Sequence, residues 1–246
     1  MNIFWFRRDL RLDDNKGLYN SLKNDQTQPI FIFDKNILDK LEESDARLTF
    51  IHNELEKINQ QLSIYESSIE FYYGYPLEIW QSIVKSNNIK NVFWNNDYEP
   101  YSIKRDDEIR NLLIQNKIQV QTFKDQVIFE ESEITKDDGK PYTIFTPYKN
   151  KWLSKIKTIE KFNCESYYYN LKKSKSTIIP LDEMGFIKSK IEVKDYSFLN
   201  LENYDKFRDY PFKDQTSYLS PHLRFGTISV RECVSNAIQI NEIFLS

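Results

Sequence analysis

The sequence predicts an α/β fold: a five-stranded, doubly wound parallel sheet, then a linker and the start of an all-helical region. Three observations predict it. Short apolar runs alternate with helix-periodic segments from residue 1 to about 126, as strands joined by crossover helices do. The first run, Asn2 to Phe6, is almost wholly apolar, the pattern of a strand buried on both faces. After about residue 126 strand signals stop, and the pattern is irregular and then helical.

The elements follow in order. Asn2 to Phe6 is too short for a helix and rich in aromatics, so it is the first strand. A short helix runs from about Asn15 to Lys23, with Asp13 or Asp14 as its expected N-cap. Pro29 to Phe33 is the second strand. Ser44 and Asp45 open a helix whose apolar stripe is Leu48, Ile51, Leu55, Ile58 and Leu62. Ser68 to Tyr73 is the third strand, and Pro76 starts the helix that continues through Leu77 to Ser86. Asn91 to Asn95 is the fourth strand. Pro100 starts a helix to about Asn116, and Ile118 to Phe123 is the fifth strand.

Residues 1–126 therefore form the first domain, 127–195 a linker, and 196–246 the opening of a helical domain. Within the linker, Asp137 to Pro141 is a turn signal, and Tyr148, Trp152, Ile156 and Ile159 recur at helical spacing. Lys140 to Lys175 holds nine lysines against Glu160 and Glu165, which reads as a solvated helix face and linker. Ser174 to Tyr196 reads as irregular chain.

Composition limits the function classes. A 40% apolar fraction in 246 residues is enough for a sizeable core. No apolar run approaches a membrane span, and no charged-then-apolar leader precedes the first strand, so the expectation is a soluble cytoplasmic protein, and a monomer. Cys164 and Cys233 lie far apart, and with only two histidines a metal site is not expected. His52 and His222 are read as packing residues, and the cysteines carry no role. The five glycines are too scattered for a GxGxxG or Walker loop, so any nucleotide is held another way.

Two places concentrate chemistry. In a sheet of order 3-2-1-4-5 the ligand crevice lies between strands 1 and 4. The loop Arg7 to Arg11 after strand 1 and the loop Asn95 to Pro100 after strand 4 are expected to face each other there. Asp97 and Glu99 in the second loop also suit the start of the following helix. The other place is Thr216-Ser217-Tyr218-Leu219-Ser220, three hydroxyls within five residues at an expected helix start. Hydroxyls and free N–H groups at such a start suit a phosphate.

These residues carry a resemblance. Trp5-Phe6-Arg7-x-Asp9-Leu10-Arg11-x-x-Asp14-Asn15 resembles the opening of the DNA photolyase/cryptochrome family. Thr143-x-Phe145-Thr146-Pro147-Tyr148-x-x-x-Trp152 resembles its interdomain segment, and Tyr204 to Pro211 resembles a segment that supplies a tyrosine to FAD and an arginine near DNA phosphate. Thr216 to Ser220 with Leu223-x-Phe225-Gly226 resembles its FAD-pyrophosphate segment, except that Tyr218 stands where arginine is usual. Four spaced motifs occur in the family's order.

The resemblance implies an antenna-type α/β domain before an FAD-binding helical domain, and light-driven, FAD-dependent repair of pyrimidine dimers in damaged DNA. It assigns Tyr204, Thr216, Ser217, Leu219 and Ser220 to FAD, and Arg208 to DNA. It assigns Glu99 to an antenna chromophore, either methenyltetrahydrofolate or a deazaflavin. It places no catalytic residue in this chain. A cryptochrome photosensor and a non-catalytic nucleotide- or pterin-binding module are the alternatives. Ser229-Val230-Arg231-Glu232 is a capping box, so a last helix is expected with Val230, Val234, Ala237, Ile238 and Phe244 on its apolar face. The family's ring-enclosing helices and tryptophan relay lie beyond these motifs, so the further expectation is that this chain alone does not repair DNA.

Overall fold

The computed structural model describes residues 1–246 apart from Asn24, Lys157, Thr158, Pro211 and Ser246, and apart from the side chains of Asn200 and Glu242. Its sheet has five parallel strands in the order β3-β2-β1-β4-β5. They are β1 (Asn2–Phe6), β2 (Thr27–Asp34), β3 (Glu70–Gly74), β4 (Asn91–Asn95) and β5 (Gln119–Phe123). The crossovers carry α1 (Lys16–Leu22), α2 (Lys35–Leu38), α3 (Ala46–Ser63), α4 (Pro76–Ser86) and α5 (Pro100–Gln115).

Strand alternation divides the core in two. Phe4 and Phe6 of β1 join Phe31 and Phe33 of β2 under α1 and α3, where Leu18, Leu22, Leu55 and Leu62 cover them. Ile3 and Trp5 point the other way, onto Trp80 of α4, Trp94 of β4, and Ile109 and Leu113 of α5. The Trp5 ring meets Trp80 at 5.6 Å and Trp94 at 5.8 Å, both edge to face, an arrangement aromatic quadrupoles favour. The fold class expected from the sequence is the one observed.

Several local expectations are corrected. The N-cap of α1 is Asn15, whose side chain accepts from Leu18 N, and not Asp13 or Asp14. Asp14 is diverted: its backbone is left-handed at φ 46°, and its carboxylate takes other donors, described below. Asp34 ends β2 and caps α2, a helix with no signal in the sequence, by accepting from Asn36 N at 2.9 Å. β3 starts at Glu70, not Ser68, because Ser68 is bonded to Ser174 and Ser176 instead.

After β5 the chain runs irregularly to α6 (Phe145–Lys155). This helix stops before Ile156 and Ile159, and it buries none of its side chains; Trp152 only leans on Phe129, at 5.8 Å. The following segment is irregular, but it is not merely a tether. Cys164, Tyr168, Leu171, Met184 and Phe186 are buried in the α1–α3 side of the core. The last elements are α7 (Tyr204–Phe207), α8 (Leu219–Phe225), α9 (Val230–Ile240) and α10 (Glu242–Leu245).

Ser229 caps α9 as expected, accepting from Glu232 N at 3.0 Å. The buried face of α9 differs from the expected one. It is Arg231, Cys233, Val234 and Ala237, while Ile238 is 43% exposed. An arginine sits on the inner face because that face meets charge, not a greasy core.

That charge is a four-membered ionic seam. Arg231 donates to both oxygens of Asp14 at 3.0 Å and to Asp125 at 2.7 Å. Arg11 donates to the other oxygen of Asp125 at 2.6 Å and to the Asp14 carbonyl at 2.8 Å. Ser229 donates to Asp14, and so does the Phe162 amide at 2.9 Å. All four charged residues are buried. Two acids and two bases leave no net charge, the condition under which buried charge is tolerated, although Arg11 Nε has no hydrogen-bond partner in the seam. Burial alone would raise the Asp125 pKa, but Arg11 and Arg231 hold it below the usual carboxylate range.

Two predictions follow from the seam. Arg231→Met leaves the buried Asp14 carboxylate without its arginine and Asp125 with Arg11 alone, and should lower unfolding free energy by about 3–5 kcal/mol in urea titrations. A midpoint equal to that of the parent protein would remove the seam's structural role. The second concerns acid. A carboxylate with a depressed native pKa stabilises the fold fully above its unfolded value, and that contribution fades as pH falls through the native value. Stability contributed by Asp125 should therefore be complete above about pH 5 and decline below about pH 4. Asp125→Asn should flatten that decline in pH-dependent urea titrations; an unchanged acid limb would contradict the assignment.

Candidate functional site

The loop after β1 does not stand open. It caps the carboxyl end of α8. The last carbonyls of a helix lack partners within it. Here Arg8 Nε donates to Arg224 O at 3.1 Å, Leu10 N to Phe225 O at 3.0 Å, and Arg11 Nη1 to Gly226 O at 3.0 Å. Two arginines at a helix carboxyl end also complement its dipole. The chain leaves α8 through Gly226 at φ 67°, where an added Cβ would lie 2.3 Å from Arg8 O. Only glycine permits this approach.

The β4 loop joins the same junction. Arg8 Nη1 reaches Asp97 at 3.2 Å and Glu99 at 3.4 Å, and Arg224 Nη1 reaches Glu99 at 2.8 Å. Asp97 is fixed in turn by Ser102 Oγ at 3.0 Å and Glu99 N at 3.2 Å. Burial would raise the Asp97 pKa, but Arg8, the Glu99 amide, Arg7 and Ser102 together outweigh it and the pKa falls. The expected juxtaposition of Glu99 with the Arg7 to Arg11 loop is therefore present, at the carboxyl ends of adjacent strands. What fills the space between them is the Arg224–Gly226 corner.

Deeper in, Arg7 pairs with Asp106 and donates to Asn95 O, with its guanidinium 5.1 Å from the Trp5 ring centre. Arg105 lies over the same ring at 4.9 Å and pairs with Asp106 at 3.0 Å and Asp34 at 3.6 Å. Asp9 is buried with only neutral donors, namely Arg7 N, Asn95 Nδ2 and Asn15 Nδ2, and burial raises its pKa.

At the other end of α8 stand the hydroxyls. Thr216 and Ser220 are exposed and Ser217 is partly buried. Tyr218 takes a left-handed backbone at φ 54°, which turns the chain into the helix. Its hydroxyl bonds Asp214, and Lys194 Nζ donates to it at 2.9 Å. Leu219 is buried against Ile228 and Cys233, so its side chain is a packing group and only its backbone faces the helix start. His222 packs as expected: its ring bonds Thr227 Oγ1 at 2.7 Å and Lys194 O at 3.0 Å.

Tyr204 and Arg208 lie apart from the hydroxyls in sequence, on α7 and just after it. Tyr204 meets Phe244 edge to face at 5.0 Å. Arg208 is 46% exposed, 5.9 Å over the Tyr204 ring and 3.7 Å from Asp209. Pro211, the last residue of that motif, lies outside the described residues. His52 bonds Ile179 O at 3.1 Å. Burial pushes the Cys233 thiol up to about 11 and Cys164 up to about 12, so neither is a nucleophile at neutral pH. Among the described residues, no group of three or more His, Cys, Asp or Glu is placed to hold a metal ion, and no helix is long and apolar enough to cross a membrane.

The hydroxyl cluster suits an anionic group: Thr216, Ser217 and Ser220 flank the start of α8, where no side chain caps the helix. The crevice between the β1 and β4 loops does not fit a planar chromophore, because the α8 corner and the Arg7–Asp106–Arg105 pairs occupy it.

Arg8 lies in the loop expected at this junction and makes the contact with the β4 loop, whereas sequence reasoning missed Asp125, Arg224 and Arg231 as its members. Their partners lie 106 to 217 residues away in the chain, beyond any local signal.

The DNA photolyase family model matches residues 2–166. A deoxyribodipyrimidine photo-lyase of Halobacterium salinarum is 28% identical over 257 residues, covering 94% of this chain and 53% of that protein. The solved class III photolyase of Agrobacterium tumefaciens superposes with a TM-score of 0.82 at 22% identity, over 99% of this chain and 55% of that one. The archaeal photolyase of Sulfolobus tokodaii, solved with two FAD molecules, gives a TM-score of 0.76 at 25% identity, over 100% of this chain and 56% of that one. The chain thus spans about half the length of these relatives. With the β1 motif, the sheet order and the matched residues in agreement, this chain belongs to the DNA photolyase family.

Proposed function

We propose that this chain is the α/β half and the flavin-phosphate end of a light-driven FAD enzyme that repairs pyrimidine dimers in DNA. One observation carries the reading. The hydroxyls of Thr216, Ser217 and Ser220 cluster at the start of a helix whose other end is fixed to the sheet by the β1 loop. Such a start binds a pyrophosphate through hydroxyls and backbone N–H groups without a glycine loop. When bound, FAD supplies the light-driven electron transfer, and the protein supplies position and electrostatics.

The chain's own residues then have distinct parts. Ser217 and Ser220 hydrogen-bond the phosphates, with Thr216 beside them. The backbone of Leu219 contributes at the helix start, while its side chain anchors α8 to Ile228 and Cys233. Tyr204 offers a ring edge to the cofactor. Arg208, exposed beyond α7, meets a DNA phosphate. Residues 1–246 reach the phosphate side of FAD, and we assign none of them to the flavin ring or to the dimer pocket. Repair by this chain alone is therefore not expected.

Ser217→Ala and Ser220→Ala should each weaken FAD binding by about tenfold to a hundredfold, the loss for a hydrogen bond to a charged group. Flavin fluorescence titration measures it. Unchanged affinity in both variants would overturn the phosphate assignment. Photoreduction of the FAD-supplemented protein, then illumination with dimer-containing oligonucleotide, tests the remainder. Stoichiometric flavin with light-dependent dimer loss would contradict the division of labour proposed here. Flavin binding without dimer loss in a full-length relative carrying this half would favour the photosensor reading.

For DNA, Arg208→Ala in such a full-length protein should weaken binding to all sequences alike and lower the salt slope by about one unit. Equal affinity and slope would show that Arg208 does not touch phosphate.

A further inference from the structure

Family membership implies a light-harvesting chromophore in the first domain, and the switch-point crevice is where an open α/β sheet ordinarily binds one. In this chain the crevice holds protein. From the outer side, Arg224, Phe225 and Gly226 enter it and give their carbonyls to Arg8, Leu10 and Arg11. The approach is so close that a Cβ on Gly226 would fall 2.6 Å from the Asp9 Cα. From the inner side, Arg7, Arg105, Asp106 and Asp34 form ion pairs with side chains at most 9% exposed. Glu99 spends the same oxygen on Arg224 and Arg8. Admitting a pterin or deazaflavin ring would strip α8 of its cap and leave paired charges buried without partners, at a cost of several kcal/mol. Two open grooves of about 680 and 550 Å³ do exist, but they are lined by His52, Glu56 and Lys188, and by Phe129, Glu133 and Lys155, away from this crevice.

We infer that the crevice between the β1 and β4 loops is a socket for the carboxyl end of α8 and not a chromophore site, with Arg8 and Glu99 as positioning residues for that helix. Arg8 is the pivot, since one guanidinium touches the β4 loop and the α8 carbonyl together. The inference does not rest on the flavin reading, because no contact in it involves FAD.

The experiment uses the 246-residue protein and two probes, methenyltetrahydrofolate and a deazaflavin. Probe fluorescence reports binding, and amide hydrogen exchange at Leu10 reports the socket, because that N–H is bonded to Phe225 O. Arg8→Met should speed Leu10 exchange by about tenfold or more, the loss of hydrogen bonds to a charged group. Glu99→Gln should speed it by about twofold to fivefold, as loss of an exposed ion pair does. Strand β1 amides serve as the internal control. Neither probe should change Leu10 exchange. The absence of saturable binding agrees with the socket, and so does binding that leaves Leu10 unchanged and survives Glu99→Gln, since the probe then lies elsewhere. Saturable one-to-one binding that Glu99→Gln abolishes, or that exposes the Leu10 amide, would overturn the inference. Parental Leu10 exchange in Arg8→Met would do so as well.

Discussion

Four buried charges, Arg11, Asp14, Asp125 and Arg231, hold the two parts of this chain together. Arg11 and Asp14 come from the β1 loop, Asp125 from the end of β5, and Arg231 from the first turn of α9. None of them is tolerable alone at that depth. Together they are neutral and bonded to one another, to Ser229 and to the Phe162 amide. The requirement is geometric. Asp14 adopts a left-handed backbone and gives up the cap of α1, and α9 presents an arginine on its inner face.

The functional arrangement depends on that seam. It fixes the start of α9, and the Gly226 turn ties α9 to α8. The β1 loop then caps α8 from below. The hydroxyls of Ser217 and Ser220 consequently lie at the start of a helix whose other end is bound by the loop that leaves the fully buried strand β1. A loop that looks like a ligand loop thus acts through a neighbouring segment. Its arginines bond carbonyls at one end of α8, opposite the end where Thr216, Ser217 and Ser220 lie.

Much of the sheet domain was legible in the sequence. The continuous apolar run of β1 marked a doubly covered strand, Pro76 and Pro100 marked helix starts, and the order 3-2-1-4-5 of a doubly wound sheet is the one observed. The hydroxyl cluster was legible too, since it lies within five residues. Other features were hidden because they depend on distant chain. Asp14 reads as a good local cap, yet a partner 217 residues away takes it. Arg231 reads as an outer-face residue of a capping box, yet it is buried. Leu219 reads as part of a binding motif, yet its side chain packs a small core. The helix signal through Ile159 outran α6, which ends at Lys155 and buries none of its side chains to hold it.

A double-mutant cycle between Asp14 and Arg231 tests the seam most directly. The variants are Asp14→Asn, Arg231→Met and their combination, each followed by urea denaturation of the whole chain. If the pair joins the two parts of the molecule, the double variant should lose much less stability than the two single losses added together, with a coupling energy of about 1–3 kcal/mol. Additive losses, within about 0.5 kcal/mol, would show that the two residues do not act on each other and would contradict the account.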